Sequence, residues 1–223
     1  ILAAVGLIIG GLMMTGVASS FSGEITRIAG GELMPLLFMG AGTAFILGVG
    51  MTVTAAYILL AIVLAPALIG LGLDPIAVHL FILYWGMISF ITPPVALGAF
   101  AAASLAGATP MRTGFEAMRL GSIVYFLPFF FVLNPALVLN GDFSTITVEV
   151  GTALAGIVMI AAGLQGHLVG VGSFASDIRS WLLRAVLVAG GLGLAYPETT
   201  SNMAGVMVLV SVIVSKRLTY KSS

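Results

Sequence analysis

Two short segments of this sequence place hydroxyl side chains beside glycine or proline inside otherwise apolar stretches. The first is Gly48–Thr54 (GVGMTVT), and the second is Thr92–Pro94 (TPP), which comes shortly after Ser89. Hydroxyl oxygens and the carbonyl groups of an unwound backbone coordinate small cations, whereas the amino ends of interrupted helices favour anions. Because neither segment contains a carboxylate, this chemistry fits weak, reversible binding of an ion or solute better than catalysis.

The composition excludes a water-soluble fold and a nucleic-acid partner. Of the 223 residues, 60% are hydrophobic and 7% are charged, whereas about a quarter of a soluble domain is charged. The formal net charge is zero, so no basic excess is present to hold phosphates. The absence of cysteine excludes disulfides and thiolate metal sites. Since the chain starts at Ile1 within an apolar run, we expect a fragment of a longer protein.

The lengths of the apolar segments predict which of them span a membrane, because about 20 apolar residues cross the hydrocarbon as a helix. Ile1–Phe21 contains no charge and is predicted to be one spanning helix, followed by an interfacial connection over Ser22–Glu32. The next two apolar runs, Leu33–Leu47 and Ala55–Leu71, are each too short to span. Glycine, threonine and valine weaken a helix, so the break between the runs is placed at Gly48–Thr54.

Residues 75–107 are predicted to form a discontinuous helix. Asp74 followed by Pro75 is typical of a helix start, with aspartate as the cap and proline at the first helical position. Pro93 and Pro94 remove two backbone donors and push Thr92 out of helical geometry, so the helix must break there. Each half is then too short to cross a membrane alone.

Four further apolar segments follow the polar stretch Gly107–Arg119. Leu120–Leu139, kinked near its end at Asn134-Pro135, and Phe143–Leu164 are predicted to be ordinary spanning helices. Leu182–Tyr196 and Met203–Ser215 are shorter and would span only if tilted or in a thinned bilayer.

The distribution of charge predicts the orientation of these segments. Basic residues concentrate in Gly107–Arg119, in Gln165–Arg184 and in the tail after Ser215, which places these parts on the cytoplasmic side. The alternate connections are net acidic and fit the opposite side. Because Ser22–Glu32 and Gly72–Pro75 then share one side, residues 33–71 must enter and leave on the same face, as a re-entrant hairpin does.

The same residues resemble a known family of transporters. Gly48–Leu68 and Leu71–Gly121, with the TPP element at its spacing from the glycine-rich break, are similar to the carboxyl-terminal half of the large membrane subunit of tripartite ATP-independent periplasmic (TRAP) transporters. Asn134–Gly141 (NPALVLNG) resembles in particular the fused permeases that work with TAXI-type substrate-binding proteins.

The resemblance implies an all-α, polytopic membrane protein that forms half of an inverted-repeat elevator transporter, driven by an ion gradient, usually sodium. It implies a bacterial or archaeal cytoplasmic (inner) membrane location. The implied partners are a TAXI-type periplasmic binding protein that delivers a small organic acid, the amino-terminal half of the permease, and membrane lipid. Substrate and cation are expected where the hairpin tip meets the unwound helix. The residues that match these two elements are Gly48, Gly50, Thr52, Thr54, Ser89, Thr92, Pro93 and Pro94.

Thr54 and Thr92 are the sodium ligands that the resemblance suggests, and no other cofactor is expected. The subgroup commonly has Pro-Thr-Thr before Ala-Ala-Tyr, whereas this chain has Val53 at the middle position, which removes one hydroxyl from the proposed cation site. Residues 1–141 are assigned to the transport half, and residues 142–223 to a carboxyl-terminal membrane extension.

Other functions stay open at this point. A channel uses the same kind of carbonyl oxygens, and a structural scaffold needs no ligand. An enzyme is least expected, because no paired carboxylates, HExxH or GxSxG motif is present. The breaks also have a purely structural interpretation, since glycine and proline are frequent in membrane helices and hydroxyls often bond one turn back.

Two aromatic features have structural interpretations as well. His79 follows the helix start at Pro75 by about one turn and is interpreted as a locally bonded interfacial imidazole, with a proton relay as the alternative. The run Phe126–Phe131 around Pro128 is interpreted as a surface that faces lipid.

Overall fold

The apolar segments fold into α-helices that are joined by short turns. The computed structural model describes residues 2–169, 172–174 and 177–221. Within that part of the chain the α-helices are α1 Leu2–Met14, α2 Val17–Ile28, α3 Leu33–Gly48, α4 Val53–Val63, α5 Ala65–Gly70, α6 Pro75–Met87, α7 Leu97–Ala106, α8 Pro110–Leu120, α9 Leu127–Leu133, α10 Phe143–Gln165, α11 Ile178–Ala195 and α12 Thr199–Lys221. Three 3-10 helices cover Ile88–Phe90, Ser122–Tyr125 and Pro135–Val138.

The predicted all-α class is confirmed, and the strands are minor. β1 (His167–Leu168) and β2 (Gly172–Ser173) form one short antiparallel pair in the loop before α11. Among the described residues, α10 alone is long and apolar enough to cross a membrane, which confirms the helix predicted over Phe143–Leu164. The number of spans rises to three if each of two bent helix pairs is taken as one.

The chain divides into two compact units. The first consists of Ile1–Met118 with Leu127–Val132, and the second of Arg119–Phe126 with Leu133–Ser223. All of the residues suggested for ion or substrate binding belong to the first unit.

In the first unit, α3 forms one arm of a helical hairpin, and α4 with α5 forms the other. Gly40 of α3 and Leu64, between α4 and α5, lie equally far along the chain from Thr52 at the tip. A Cβ atom at Gly40 would lie 3.3 Å from both terminal carbons of Leu64, so the arms run side by side. α6 packs against both arms, and Phe81 of α6 is fully buried there.

Phe129 of α9 inserts into the same core. Its ring centroid lies 5.3 Å from that of Phe38, 5.5 Å from that of Phe81 and 5.9 Å from that of Trp85. Such tilted and edge-on pairs contribute about 0.5–1.5 kcal/mol each beyond their buried area. The interpretation of the run Phe126–Phe131 as lipid-facing is wrong for Phe130, which is 5% exposed, whereas Phe129 is half-buried beside these rings.

The single helix predicted over Ile1–Phe21 is also wrong. The chain breaks at Gly16, which has a φ of 70°, and the axes of Gly6–Met14 and Val17–Ile28 differ by 68°. Glycine adopts this left-handed conformation without a Cβ penalty, so the helix ends there although the run stays apolar. α2 then continues to Ile28, through most of the predicted interfacial connection Ser22–Glu32.

The continuous helix predicted over Leu120–Leu139 is wrong as well. This stretch contains a 3-10 helix, the seven-residue α9 and a second 3-10 helix. Asn134 adopts an extended conformation and caps the last of these, since its side-chain oxygen accepts from the Ala136 N–H at 3.2 Å. The helix therefore ends before Asn134, where the sequence predicted only a kink.

In the second unit, α10 packs against α11 and α11 against α12. Glycines allow close approach between the first two, since a Cβ at Gly156 would lie 2.5 Å from the Gly191 carbonyl oxygen. Arg184 donates to the carbonyls of Gly163 at 2.7 Å and Leu164 at 2.8 Å, near the carboxyl end of α10. Small residues and backbone acceptors of this kind are typical of helix contacts in membranes.

Asp142 caps the amino end of α10. Its carboxylate accepts from the Ser144 hydroxyl, and from the hydroxyl and N–H of Thr145 at 2.7 Å and 3.1 Å. These hydrogen bonds, with the one from Ser144 as the largest contribution, hold the pKa of Asp142 well below its usual range.

Candidate ion and substrate site

The hairpin tip lies where the sequence predicts it, between the end of α3 at Gly48 and the start of α4 at Val53. Thr52 is the N-cap of α4, and its hydroxyl oxygen accepts from the Ala55 N–H at 3.3 Å. Gly50 has a φ of 79°, which explains why glycine occupies this turn. Thr54 follows in the first turn of α4 and is exposed.

The discontinuous helix is confirmed, and its break is longer than the proline pair alone requires. α6 starts at Pro75, with Asp74 as the predicted cap, whose side chain accepts from two backbone N–H groups. α6 ends at Met87, a 3-10 helix follows, and α7 starts at Leu97. The TPP element therefore lies within an interruption that covers residues 88–96, between the two half-helices.

Thr92 and Ser89 lie in this stretch, and the hydroxyl of each donates to backbone carbonyls. Thr92 donates to the carbonyl of Ile88 at 2.8 Å, and only 7% of its surface is exposed. Ser89 is 2% exposed. Both hydroxyls thus donate to the backbone, and hydroxyl oxygens are also possible ligands for small cations.

The two breaks meet through Ser89. Its hydroxyl lies 2.9 Å from the carbonyl oxygen of Gly48 at the hairpin tip and 3.2 Å from that of Gly86 in α6. A Cβ atom at Gly48 would lie 2.6 Å from the Gly86 carbonyl oxygen, so the contact requires glycine at the end of α3. The proximity that the sequence predicts for the two breaks is therefore present in the structure.

The predicted residues separate into two groups. The first group is buried where the hairpin and the unwound helix meet, and it consists of Gly48, Ser89 and Thr92. Pro93, which follows Thr92, is half-buried. The remaining predicted residues are all exposed, and they are Gly50, Thr52, Thr54 and Pro94. The buried group supplies two hydroxyls and several carbonyls.

The donor set of this region fits a weakly held monovalent cation. Within the described ranges 2–169, 172–174 and 177–221, no three His, Asp or Glu side chains converge as metal ligands. Neutral hydroxyl and carbonyl oxygens near broken helices are the ligands by which secondary transporters hold sodium. Ser89 and Thr92 would supply the hydroxyl oxygens from this chain, and Gly48 a carbonyl oxygen.

Two glycines that position the site escaped sequence reasoning. The backbone carbonyl of Gly86 lies against the hairpin tip, and Gly114 of α8 lies against the break, because a Cβ there would be 2.8 Å from Cγ of Pro93. The available signal was a glycine within a helical pattern, which costs about 1 kcal/mol relative to alanine and usually has a packing reason. The partner of each glycine lies in another segment, so the pattern alone did not identify it.

His79 also has a partner that the sequence does not reveal. The hydroxyl oxygen of Tyr57 on α4 lies 3.0 Å from Nδ1 of His79 on α6, with the ring centroids 5.9 Å apart. The interpretation of His79 as locally bonded is therefore wrong, since its bond joins the second hairpin arm to the discontinuous helix. The pair ties the two elements that form the site to each other.

A helical hairpin with a broken tip, packed against an interrupted helix, is the arrangement of a secondary membrane transporter. The chain belongs to the family described as the tripartite ATP-independent periplasmic transporter, DctM component, whose model matches residues 1–146. It is accordingly a TRAP permease component of the inner membrane, and the family implies a substrate-binding protein and a small membrane subunit as partners. No curated protein and no solved structure matches the sequence.

Proposed function

We propose that residues 1–141 are the carboxyl-terminal transport half of a permease that uses an ion gradient, sodium in the first instance, to import a small organic acid. A TAXI-type periplasmic binding protein delivers this acid, and residues 142–223 form a membrane extension. The observation that carries the proposal is the hydrogen bond from Ser89 to the carbonyl of Gly48, which joins the two backbone breaks.

The cation would bind among the oxygens of the buried group. Thr92 is the main hydroxyl ligand in this proposal, because it is buried at the break and its hydroxyl is held in place by its bond to the Ile88 carbonyl. Thr54 is exposed at the start of α4 and would contribute only if the tip closes over the ion. A cation bound there would link oxygens of the hairpin tip to oxygens of the break, so that the hairpin and the discontinuous helix move as one body.

The test is sodium-driven uptake by the intact permease, reconstituted in proteoliposomes with its binding protein. We expect Thr92→Val to raise the sodium concentration for half-maximal uptake about tenfold, equivalent to about 1.4 kcal/mol. Thr92→Ser keeps the hydroxyl and should stay close to wild type. Thr54→Val should have a smaller effect in the same direction.

Three results would count against the proposal. Wild-type sodium dependence in Thr92→Val removes this residue from the cation site. Flux that rises without saturation and without counterflow indicates a channel. Absence of any ion or solute effect on stability or flux indicates a structural scaffold.

A further inference from the structure

Helix α8 differs from the other helices of the first unit in its charge. It contains Arg112, Glu116 and Arg119 within the eleven residues Pro110–Leu120. Eleven residues cover about 16 Å, well short of the roughly 30 Å of the hydrocarbon, and three charges are costly inside it. Together with Ser122–Leu133, from which it is bent by 68°, α8 forms one of the two bent pairs long enough to span, but its three charges favour a position at the membrane surface.

One face of α8 is attached to the discontinuous helix. Gly114 is buried, and a Cβ atom there would lie 2.8 Å from Cγ of Pro93 and 3.5 Å from the Phe100 ring. This face leaves no room for any side chain at position 114. The orientation of α8 about its own axis is fixed by this contact.

The face of α8 that points away from Pro93 has an apolar strip beside a basic strip. Met111 is 44% exposed and Phe115 is 60% exposed, and they are neighbours because four residues separate them along a helix. Arg112 is exposed, and at 100° per residue it projects about 60° beyond Phe115, with Arg119 close to the same line. An apolar strip edged by arginines is typical of a helix that lies in the membrane interface.

We propose that α8 docks on the anionic phospholipid surface of the bilayer, with Met111 and Phe115 in the acyl boundary and Arg112 at the phosphates. Charge complementarity supports this partner, because the helix has a net charge of +1 from two arginines and one glutamate. The basic residues of Gly107–Arg119 predict the cytoplasmic side, where the leaflet is anionic. Guanidinium groups bind phosphate oxygens in a bidentate manner.

The inference stands apart from the transport proposal, since it requires only α8 and a membrane. The test uses the intact permease in a cysteine-free background, with Met111→Cys labelled by an environment-sensitive fluorophore. The protein is reconstituted in phosphatidylcholine vesicles with increasing fractions of phosphatidylglycerol. We expect a blue shift of the emission that grows with the phosphatidylglycerol fraction and saturates.

Two substitutions of opposite sign on the same helix provide matched controls. A basic residue near an anionic surface contributes about 1 kcal/mol, so Arg112→Gln should raise the half-maximal phosphatidylglycerol fraction by up to about fivefold. Glu116→Gln removes a negative charge and should lower that fraction, and Arg112→Lys should leave it nearly unchanged. All three substitutions are at exposed positions, so the fold should be unchanged. Circular dichroism of each variant checks this.

The proposal is overturned if Arg112→Gln and Glu116→Gln titrate identically. It is also overturned if the emission is already blue-shifted in pure phosphatidylcholine and does not respond to phosphatidylglycerol, because a protein neighbour then covers α8. Emission typical of water at every composition overturns it too. None of these outcomes depends on whether the permease transports an organic acid or sodium.

Discussion

Replacing Gly48 by alanine should separate the hairpin tip from the discontinuous helix. A Cβ atom at this position would lie 2.6 Å from the carbonyl oxygen of Gly86 and 3.3 Å from its carbonyl carbon and Cα. The obstacle is backbone of a packed helix, which cannot rotate away as a side chain can. The tip must therefore move, and the hydrogen bond from Ser89 to the Gly48 carbonyl, now 2.9 Å long, must lengthen.

Two costs and one gain determine the magnitude for Gly48→Ala. Overpacking of a close contact costs about 1–3 kcal/mol. A hydrogen bond between membrane helices is worth about 0.6 kcal/mol on average and up to about 1.7 kcal/mol. Alanine recovers about 0.5–1 kcal/mol relative to glycine within a helix. The net loss of unfolding free energy is thus about 1–4 kcal/mol.

The assay is denaturation of the purified permease by SDS, followed by circular dichroism, together with sodium-driven uptake. Gly42→Ala is the matched control on the same helix α3, because Gly42 is exposed and a Cβ there would meet nothing within 4 Å. We expect Gly42→Ala to be neutral or slightly stabilising. Equal stability and equal uptake in the two variants would refute the close approach of Gly48 and Gly86.

Three further predictions concern single contacts. Ser89→Ala should lower unfolding free energy by about 0.6–1.7 kcal/mol in the same SDS assay and reduce uptake, whereas unchanged values would show that its hydroxyl does not join the breaks. Gly114→Ala should displace α8 from Pro93, measured as faster proteolysis of the loop before α8; a wild-type rate would contradict this contact. The pKa of Asp142 is lowered on folding, so its contribution to stability is present above the ordinary value of 3.8 and is lost as the pH falls below it. Asp142→Asn should remove that acid-dependent loss in a pH titration of unfolding, and an unchanged titration would exclude Asp142 as its source.

The element boundaries that sequence reasoning located correctly are those set by local chemistry. Pro75 after Asp74 starts α6, Gly48–Thr54 interrupts the hairpin, and the TPP element lies in the break before α7. Proline lacks a donor and glycine lacks a Cβ in any surroundings, so their effect on a helix is readable without tertiary information. Gly16 is the exception, because Gly6, Gly10 and Gly11 in the same apolar run do not interrupt α1, and nothing local distinguishes Gly16 from them.

Sites that depend on distant partners were located less well. Ser89 and Thr92 were singled out for their oxygens, yet nothing in the sequence indicates that Ser89 reaches the Gly48 carbonyl, 41 residues away. The half-buried position of Phe129 depends on three rings from other segments, and hydrophobicity alone does not separate a core-facing phenylalanine from a lipid-facing one in a membrane protein.

By itself, the sequence determined that this chain belongs in a membrane, that it is helical, and that its backbone is interrupted at two places. Those properties follow from composition and from the covalent structure of glycine and proline. Only the tertiary structure decided that the two interruptions meet, that Gly48 permits the contact with the Gly86 carbonyl, and that α8 rests on Pro93. Such contacts join segments that are far apart in the chain, and a shift of a few tenths of an ångström decides whether a side chain fits. No local sequence pattern encodes that.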